Sequence, residues 1–353
     1  MSNFLISTGG SGGHVLPAII LHEHLANEGN IVITSDNRGL KFLDKRKYNL
    51  EIIDTPKLGN IYLFPINFFL IIILIFKSIF VIKKRKIEKI ISIGGYMSLP
   101  LILAAKFTGL NIYLVEPNQV LGRANKFFLN FCKKIFCYSK NIKNFPKKYE
   151  NKISIIEPLV KKEIYDLNGL DLKKSKFNLL IVGGSQGASF FDKNLKDLIV
   201  NISRENSIKV THQTNELNVE KLKDFYQKNN IENEIFSFEK EFSKIIYKAD
   251  LCITRAGATT LAELSVLNIP FIAVPLPSSK DNHQFENANF YINNDCCWIV
   301  DQDSFEENIE LLLKNIIVDK TEYMKKKQNL KKLNFQNTWI NVNQKILGII
   351  NED

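Results

Sequence analysis

Thr8-Gly9-Gly10-Ser11-Gly12-Gly13-His14 is entered from the apolar run Phe4-Leu5-Ile6 and followed by a helical pattern from Val15 to Leu25. A second turn, Gly183-Gly184-Ser185-Gln186-Gly187-Ala188, is entered from Leu179-Leu180-Ile181-Val182. In each, glycine lets backbone N–H groups approach a ligand closely, and the helix that follows presents its positive end there. One such turn is common. Two, each opening its own α/β half, predict two lobes that hold a nucleotide or another phosphate donor.

Short apolar runs recur on either side of these turns. The strands expected in the first half are Phe4–Ser7, Ile31–Thr34, Leu50–Ile53, Ile90–Ile93, Ile112–Val115 and Ile135–Tyr138. Those in the second are Leu179–Val182, Ile208–His212, Glu234–Phe238, Leu251–Thr254, Phe271–Val274 and Trp298–Val300. Most lack strict alternation, as parallel strands buried on both faces do. Helical patterns lie between them, so right-handed βαβ winding is expected throughout. The lysine-rich stretch Asn141 to Lys152 and the segment Lys161 to Lys176 bracket the crossover. The expected domains are therefore 1–157 and 158–335, with a last helix at about 336–353 packing back on the first.

With 353 residues, 45% of them hydrophobic, the chain has material for two cores. Its 47 Lys and Arg against 37 Asp and Glu leave a net charge of +10, which favours anionic partners. Nucleic acid is not expected among them: the basic residues are scattered, and neither an arginine-rich stripe, an RNA-stacking signature nor zinc-finger spacing occurs. Of five cysteines only Cys296 and Cys297 are close in sequence, and no CxxC pair exists. Reduced thiols in a cytosolic compartment fit this usage. An N-terminus that runs directly into a strand gives no expectation of a signal peptide.

The segment from Ile61 to Ile82 stands apart. Phe68 to Phe76 is nine apolar residues in a row, and Lys83-Lys84-Arg85-Lys86 follows soon after. A spanning helix needs about 20 predominantly apolar residues, and Pro65, Asn67, Lys77 and Ser78 interrupt this one. Three readings stay open: a core helix between the third and fourth strands, a helix dipping one face into a membrane leaflet with the basic run on anionic headgroups, and a true span.

Three clusters carry chemistry. The first turn suggests a dinucleotide fold, and Asp36 follows the second strand where an acid would hold a ribose. Yet the third glycine of that fingerprint is missing, since Val15 stands three residues after Gly12, and no Gly-Lys-Ser/Thr makes it a P-loop. His14 at the helix start is distinctive, because a histidine there can take a proton from a hydroxyl nucleophile; the bland alternative is local packing. His22 and His24 diverge on a helix and form no zinc pair. In Thr254-Arg255-Ala256-Gly257-Ala258-Thr259-Thr260-Leu261-Ala262-Glu263, a strand ends, a glycine turn follows, and a helix begins near Ala258. Glu263 can accept two ribose hydroxyls there, or Thr260-x-x-Glu263 is merely a capping box. In Asp281-Asn282-His283-Gln284-Phe285-Glu286-Asn287-Ala288, Gln284 is placed to read sugar hydroxyls or is a plain surface residue.

Together these pieces resemble the N-acetylglucosaminyltransferases of peptidoglycan synthesis that convert lipid I to lipid II. The matching elements are Gly9–His14 with Pro17, Gly94-Gly95-Tyr96 with Pro100, Glu116-Pro117-Asn118, Gly183–Ala188, Arg255–Glu263 and Asp281–Ala288. The resemblance implies a GT-B architecture: two Rossmann-like, doubly wound α/β domains facing a central cleft. It implies UDP-N-acetylglucosamine as donor, undecaprenyl-linked lipid I as acceptor, and a peripheral place on the anionic, cytoplasmic face of the plasma membrane. Carried over by motif, Glu263 would hold the ribose, and Ala258, Thr259, Thr260 and Ser185 would line the diphosphate. Gln284 would contact the sugar, with Gln186 and His283 among the binding positions. Ser11, Gly12, Gly13, His14 and Asn118 would belong to the first lobe's share of the site. Three positions depart from the family. Val115 stands where it has histidine, Lys161 where it has arginine, and Glu239 where an apolar residue lies near the uracil. Lysine supplies the charge of arginine without its bidentate fork.

The expected reaction is an inverting transfer, with His14 as base and Glu116 and Asn118 as neighbours that orient it or the acceptor. Helix N-termini at Ser185 and Ala258 would stabilise the leaving diphosphate without a metal or other cofactor. The alternatives are another UDP-sugar enzyme on this scaffold, such as a 2-epimerase, and a non-catalytic nucleotide-sugar-binding protein.

Overall fold

Both halves of the chain are built on a parallel sheet whose strand order reverses at its first strand. The computed structural model describes residues 2–56, 64–169 and 175–352, leaving aside the side chains of 185–188. The chain forms two units, Met1–Val160 with Trp339–Asp353, and Lys161–Thr338.

The strands of the first unit are β1 (Ser2–Ser7), β2 (Gly29–Ser35), β3 (Asn49–Ile52), β4 (Lys89–Ser92), β5 (Asn111–Glu116), β6 (Lys134–Cys137) and β7 (Ile153–Ile155). They lie in the order β3-β2-β1-β4-β5-β6-β7 and every pairing is parallel. The three-residue β7, which the apolar runs did not signal, is an edge strand paired only with β6, so it needs no long apolar run. Helices α1 (Gly12–Leu25), α2 (Phe64–Lys84), α3 (Leu99–Phe107) and α4 (Arg123–Phe128) connect the strands. Phe4, Ile6, Ile33, Ile91 and Tyr113 pack in a core on one side of the sheet, and Leu5, Val32, Ile90, Ile112 and Leu114 in one on the other. Alternate residues of each strand thus enter opposite cores, which is why the strands read as unbroken apolar runs.

The second unit repeats the plan. β8 (Phe177–Val182), β9 (Ile208–Gln213), β10 (Glu232–Phe236), β11 (Leu251–Thr254), β12 (Phe271–Ala273) and β13 (Trp298–Ile299) lie in the order β10-β9-β8-β11-β12-β13, again all parallel. Its helices are α5 (Lys162–Leu167), α6 (Gly184–Glu205), α7 (Val219–Lys228), α8 (Phe242–Lys248), α9 (Ala258–Val266), α10 (His283–Asn293), α11 (Phe305–Val318) and α12 (Lys320–Leu333). The last helix, α13 (Trp339–Asn351), belongs to the first unit. Its Val342, Ile346 and Ile350 enter that unit's core, and Trp339 stacks on buried His24 with ring centroids 3.7 Å apart. Lys89 Nζ and Tyr113 Oη donate to Ile350 O at 2.9 and 3.1 Å, satisfying a carbonyl at the negative end of the helix.

Helix α2 is long and apolar enough to cross a membrane by length and composition. Ile71, Ser78, Val81 and Ile82 are buried, and Leu74, Ile75 and Ile79 pack partly against the core that holds Leu101 and Ile102 of α3. Its other side exposes Phe64, Ile66, Phe68, Phe69, Leu70, Ile73, Phe76 and Phe80. A core helix would bury that side, so the core-helix reading fails. The basic run after it is also not uniform: the Arg85 guanidinium donates twice to Glu51 Oε1, at 2.8 and 3.1 Å, while Lys83, Lys84 and Lys86 are exposed.

Candidate functional site

In a doubly wound sheet a ligand binds beyond the C-terminal strand ends where the order reverses. That place lies between β1 and β4 in the first unit and between β8 and β11 in the second. All four loops there carry glycine: Gly9–Gly13, Gly94-Gly95, Gly183-Gly184 and Gly257. Helices α1, α6 and α9 start from these loops at Ser11, Gly183 and Gly257, none of which caps its helix with a side chain. Their positive ends therefore carry no capping group of their own.

In the first unit, the Thr8 hydroxyl donates to His14 O at 2.7 Å, and His14 N–H donates to Ser11 O at 3.0 Å, closing the first turn of α1. Gly95 sits at φ +82°, and a Cβ there would stand 2.2 Å from Met97 Sδ and 3.9 Å from His14 Nε2. The turn after β4 thus lies against the half-buried His14 imidazole. Asp36 is not placed for a ribose. Its carboxylate is 1% exposed and accepts from Gly10 N–H at 2.8 Å, Gly39 N–H at 2.9 Å and the Arg38 guanidinium at 2.6 and 2.9 Å. Burial pushes its pKa up, but these donors outweigh burial and hold it below the ordinary carboxylate value. Asp36 fastens the loop after β1 to the end of β2, which excludes the dinucleotide reading.

Glu116 has a similar occupation. It is buried and accepts from Asn118 N–H and Nδ2 at 3.2 Å, Gly122 N–H at 2.8 Å and Asn125 Nδ2 at 3.0 Å. Burial raises its pKa while those four donors oppose the rise. Such a carboxylate orders the loop that carries Asn118, a half-buried residue, and is a positioning group. Asn125, which no short motif signals, also donates to Val115 O at 2.9 Å and packs against Gly94.

In the second unit, α9 begins at Ala258, so Glu263 lies in its second turn and Thr260 is not the N-cap. The capping-box reading fails on position. Glu263 is 4% exposed, and among the described residues its carboxyl accepts no hydrogen bond. Burial raises its pKa to about 7; Lys161 pulls it down and Glu163 pushes it up. Lys161 also lies 3.4 Å from Glu163, so its ammonium serves these two carboxyls. Ala258, Thr259 and Thr260 form the half-buried first turn of α9. Beneath it, the buried Arg255 donates to Val274 O, Pro275 O and Gln302 Oε1 and lies over the Phe190 and Phe191 rings; burial lowers its pKa to about 10. Asn287 Nδ2 donates to Ala256 O at 3.2 Å, tying α10 to this turn.

Gln284 is less free than its sequence context suggests. Its Oε1 accepts from Leu276 N–H at 2.9 Å, so a contact with a sugar falls to Nε2. His283 Nδ1 lies 2.8 Å from Lys280 O, which leaves Nε2 there too. Glu239 is exposed and its Oε1 accepts from Glu241 N–H at 2.9 Å. Ser185 and Gln186 stand in the first turn of α6, and their side chains lie outside the described ones. Ser11, Gly12 and Gly13 open α1. Gln213, missed in the sequence, accepts from Gly184 N–H at 2.9 Å.

Comparison with known proteins agrees with this geometry. The glycosyltransferase family 28 N-terminal domain matches residues 4–137 and the C-terminal domain of that family matches 178–339. The UDP-N-acetylglucosamine–N-acetylmuramyl-(pentapeptide) pyrophosphoryl-undecaprenol N-acetylglucosamine transferase of Pelagibacter ubique is 49% identical over 99% of both chains. The transferase of the same name from Rickettsia canadensis is 33% identical over 86% of this chain and 87% of its own. The crystal structure of Acinetobacter baumannii MurG superposes with a TM-score of 0.78 over the whole of both chains at 24% identity, and the fold is of the GT-B glycosyltransferase type. Matched in both halves by the two domains of one family, and along almost its full length by transferases of a single kind, the chain belongs to glycosyltransferase family 28.

Proposed function

We propose that this protein transfers N-acetylglucosamine from UDP-N-acetylglucosamine to the muramoyl sugar of undecaprenyl-diphosphate-linked lipid I, giving lipid II for peptidoglycan synthesis. The observation that carries the proposal is the 49% identity over 99% of both chains with a transferase of that name. The reaction forms a bond from the acceptor oxygen to the anomeric carbon, breaks the bond from that carbon to the diphosphate, and inverts the carbon. The acceptor hydroxyl gives its proton to the His14 imidazole, and UDP leaves with the bonding pair.

The second unit holds the donor in this reading. Glu263 accepts the ribose hydroxyls; unlike Asp36 and Glu116, its carboxyl accepts no hydrogen bond among the described residues. The first turns of α6, with Ser185 and Gln186, and of α9, with Ala258, Thr259 and Thr260, face the diphosphate with N–H groups that no N-cap side chain engages. That arrangement supports a transfer without metal. His283 and Gln284 offer their Nε2 atoms to the sugar, and Glu239 stands at the position near the uracil. Lys161 acts on Glu263 in place of a forked contact to the donor. In the first unit Glu116 positions Asn118, and Ser11 to Gly13 present the start of α1. UDP should be released from UDP-N-acetylglucosamine only when lipid I is supplied, at a rate unchanged in excess EDTA. Release without acceptor, or loss of activity restored by Mg²⁺ or Mn²⁺, would contradict it.

The exposed apolar side of α2 and the lysines at its end support peripheral binding to an anionic membrane, on the cytoplasmic face. Nucleic acid has no place in this scheme.

Replacing His14 with alanine should lower kcat by about 10²–10⁴, the range for removing a general base, with donor KM little changed. A raised KM at intact kcat would make His14 a binding residue.

Glu263 binds the ribose diol best as a carboxylate, and its pKa stands at about 7 in the free protein. Donor KM should therefore fall as pH rises from roughly 6 to 8, by up to about tenfold per unit below the pKa. In Glu263→Gln the KM should be high and flat over that range, with kcat largely kept. The same raised pKa means that the folded state loses stability as pH rises from the ordinary glutamate range through 7, because ionisation then favours the unfolded chain. A wild-type KM that does not vary with pH would remove the ribose role.

Phe69→Ser with Ile73→Ser should weaken binding to anionic liposomes even at low salt, and leave UDP affinity unchanged. Lys83, Lys84 and Lys86 to Gln should weaken it mainly at low salt, since each contributes about 1 kcal/mol within a Debye length; Arg85 is spared because it holds Glu51. Unfolding of the serine variant would show that α2 is needed for the core.

A further inference from the structure

The start of α6 is held by a residue that is not part of it. Gly184 has a left-handed backbone, φ +61°, and its N–H points at the side chain of Gln213, the last residue of β9. The N-cap, Gly183, has no side chain to offer, so the first turn is capped in trans. Gln213 has a fixed address. Its strand pairs it with Val182 on one side and Phe236 on the other. Its neighbours His212 and Thr214 are buried and both meet Asp192 of α6: the Thr214 hydroxyl donates at 2.6 Å and His212 Nε2 lies 3.3 Å away. Asn218 Nδ2 completes the set at 2.9 Å. The end of β9 thus grips α6 twice, at Asp192 in the body of the helix and at Gly184 at its tip.

We infer that Gln213 is a positioning residue for donor binding: its neutral carboxamide fixes the Gly183-Gly184 turn so that the remaining N–H groups converge on the nucleotide diphosphate. The inference rests on the placement of the diphosphate at the start of α6. Neutrality is the essential property. A carboxylate at this position would accept from Gly184 N–H more strongly and would suit the positive end of the helix. It would also cancel the potential that the diphosphate needs and repel it. A cap that serves only the fold would be improved by a glutamate; a cap that serves an anion site would be ruined by it.

The experiment uses the full chain and three probes: uridine, UDP and UDP-N-acetylglucosamine. Wild type should bind UDP more tightly than uridine. Gln213→Ala should weaken UDP and raise donor KM about five- to tenfold, the worth of one hydrogen bond, with kcat and uridine affinity kept within about twofold. Gln213→Glu should melt at or above the temperature of Gln213→Ala yet bind UDP more weakly than it does, and part of that loss should vanish at high salt. Glutamate that restores wild-type UDP affinity, or variants that lose uridine and UDP affinity alike, would overturn the positioning role alone. A wild-type protein that binds uridine as tightly as UDP would overturn the diphosphate placement and this inference with it.

Discussion

A parallel sheet brings the C-terminal ends of its strands to one edge, and the helices that follow them begin there. In this chain both sheets reverse their strand order at the first strand, so two loops in each unit open a crevice on that edge. Backbone N–H groups at helix starts point into such a crevice with partial positive charge. Every other feature of the candidate site qualifies this one. Glycines shape the loops, buried carboxylates hold them, and the N-cap positions carry no capping side chains.

The buried carboxyls divide into two kinds. Asp36 and Glu116 each accept three or more hydrogen bonds from neighbouring loops, which makes them internal fasteners, and the half-buried Asp192 fastens α6 in the same way through Thr214 and Asn218. Glu263 accepts none among the described residues, and its pKa accordingly rises to about 7, since desolvation goes uncompensated by donors. A buried carboxyl without donors is costly unless something arrives to supply them. Two hydroxyls on adjacent carbons would do so.

Most of the strands were legible because they are apolar on both faces, and the observed boundaries fall within two residues of the expected ones. Edge strand β7 escaped because it buries little and so carries no long run. The glycine turns and the residues after them were legible as motifs, since their spacing is local. What each side chain does was not, because its partners come from other strands. Asp36 reads as a ribose ligand until Gly10 and Gly39 are seen on it, and Gln284 reads as having its whole carboxamide free until Leu276 takes its oxygen and leaves only Nε2. The α2 segment was ambiguous for a related reason: composition gives its apolarity, while only packing tells which side is left uncovered.

The protein's use of charge follows a consistent rule at these helix starts. The carboxylates of Asp36 and Glu116 bind backbone N–H groups within the loops of the first unit, and the residues at the N-cap positions of α1, α6 and α9 are neutral, as is the carboxamide of Gln213 that meets Gly184 N–H. Arg255, buried below the α9 turn, gives its hydrogen bonds to neutral oxygens and lies over two aromatic rings. Its positive charge is thus partnered by dipoles, and dipoles leave most of its field intact in a low-dielectric setting. The second unit is therefore electropositive where its helices begin, by arrangement of local groups, and does not depend on the scattered lysines that give the chain its overall charge of +10. Surface lysines act through solvent and fade within a Debye length at physiological salt; fixed N–H dipoles and a buried guanidinium do not.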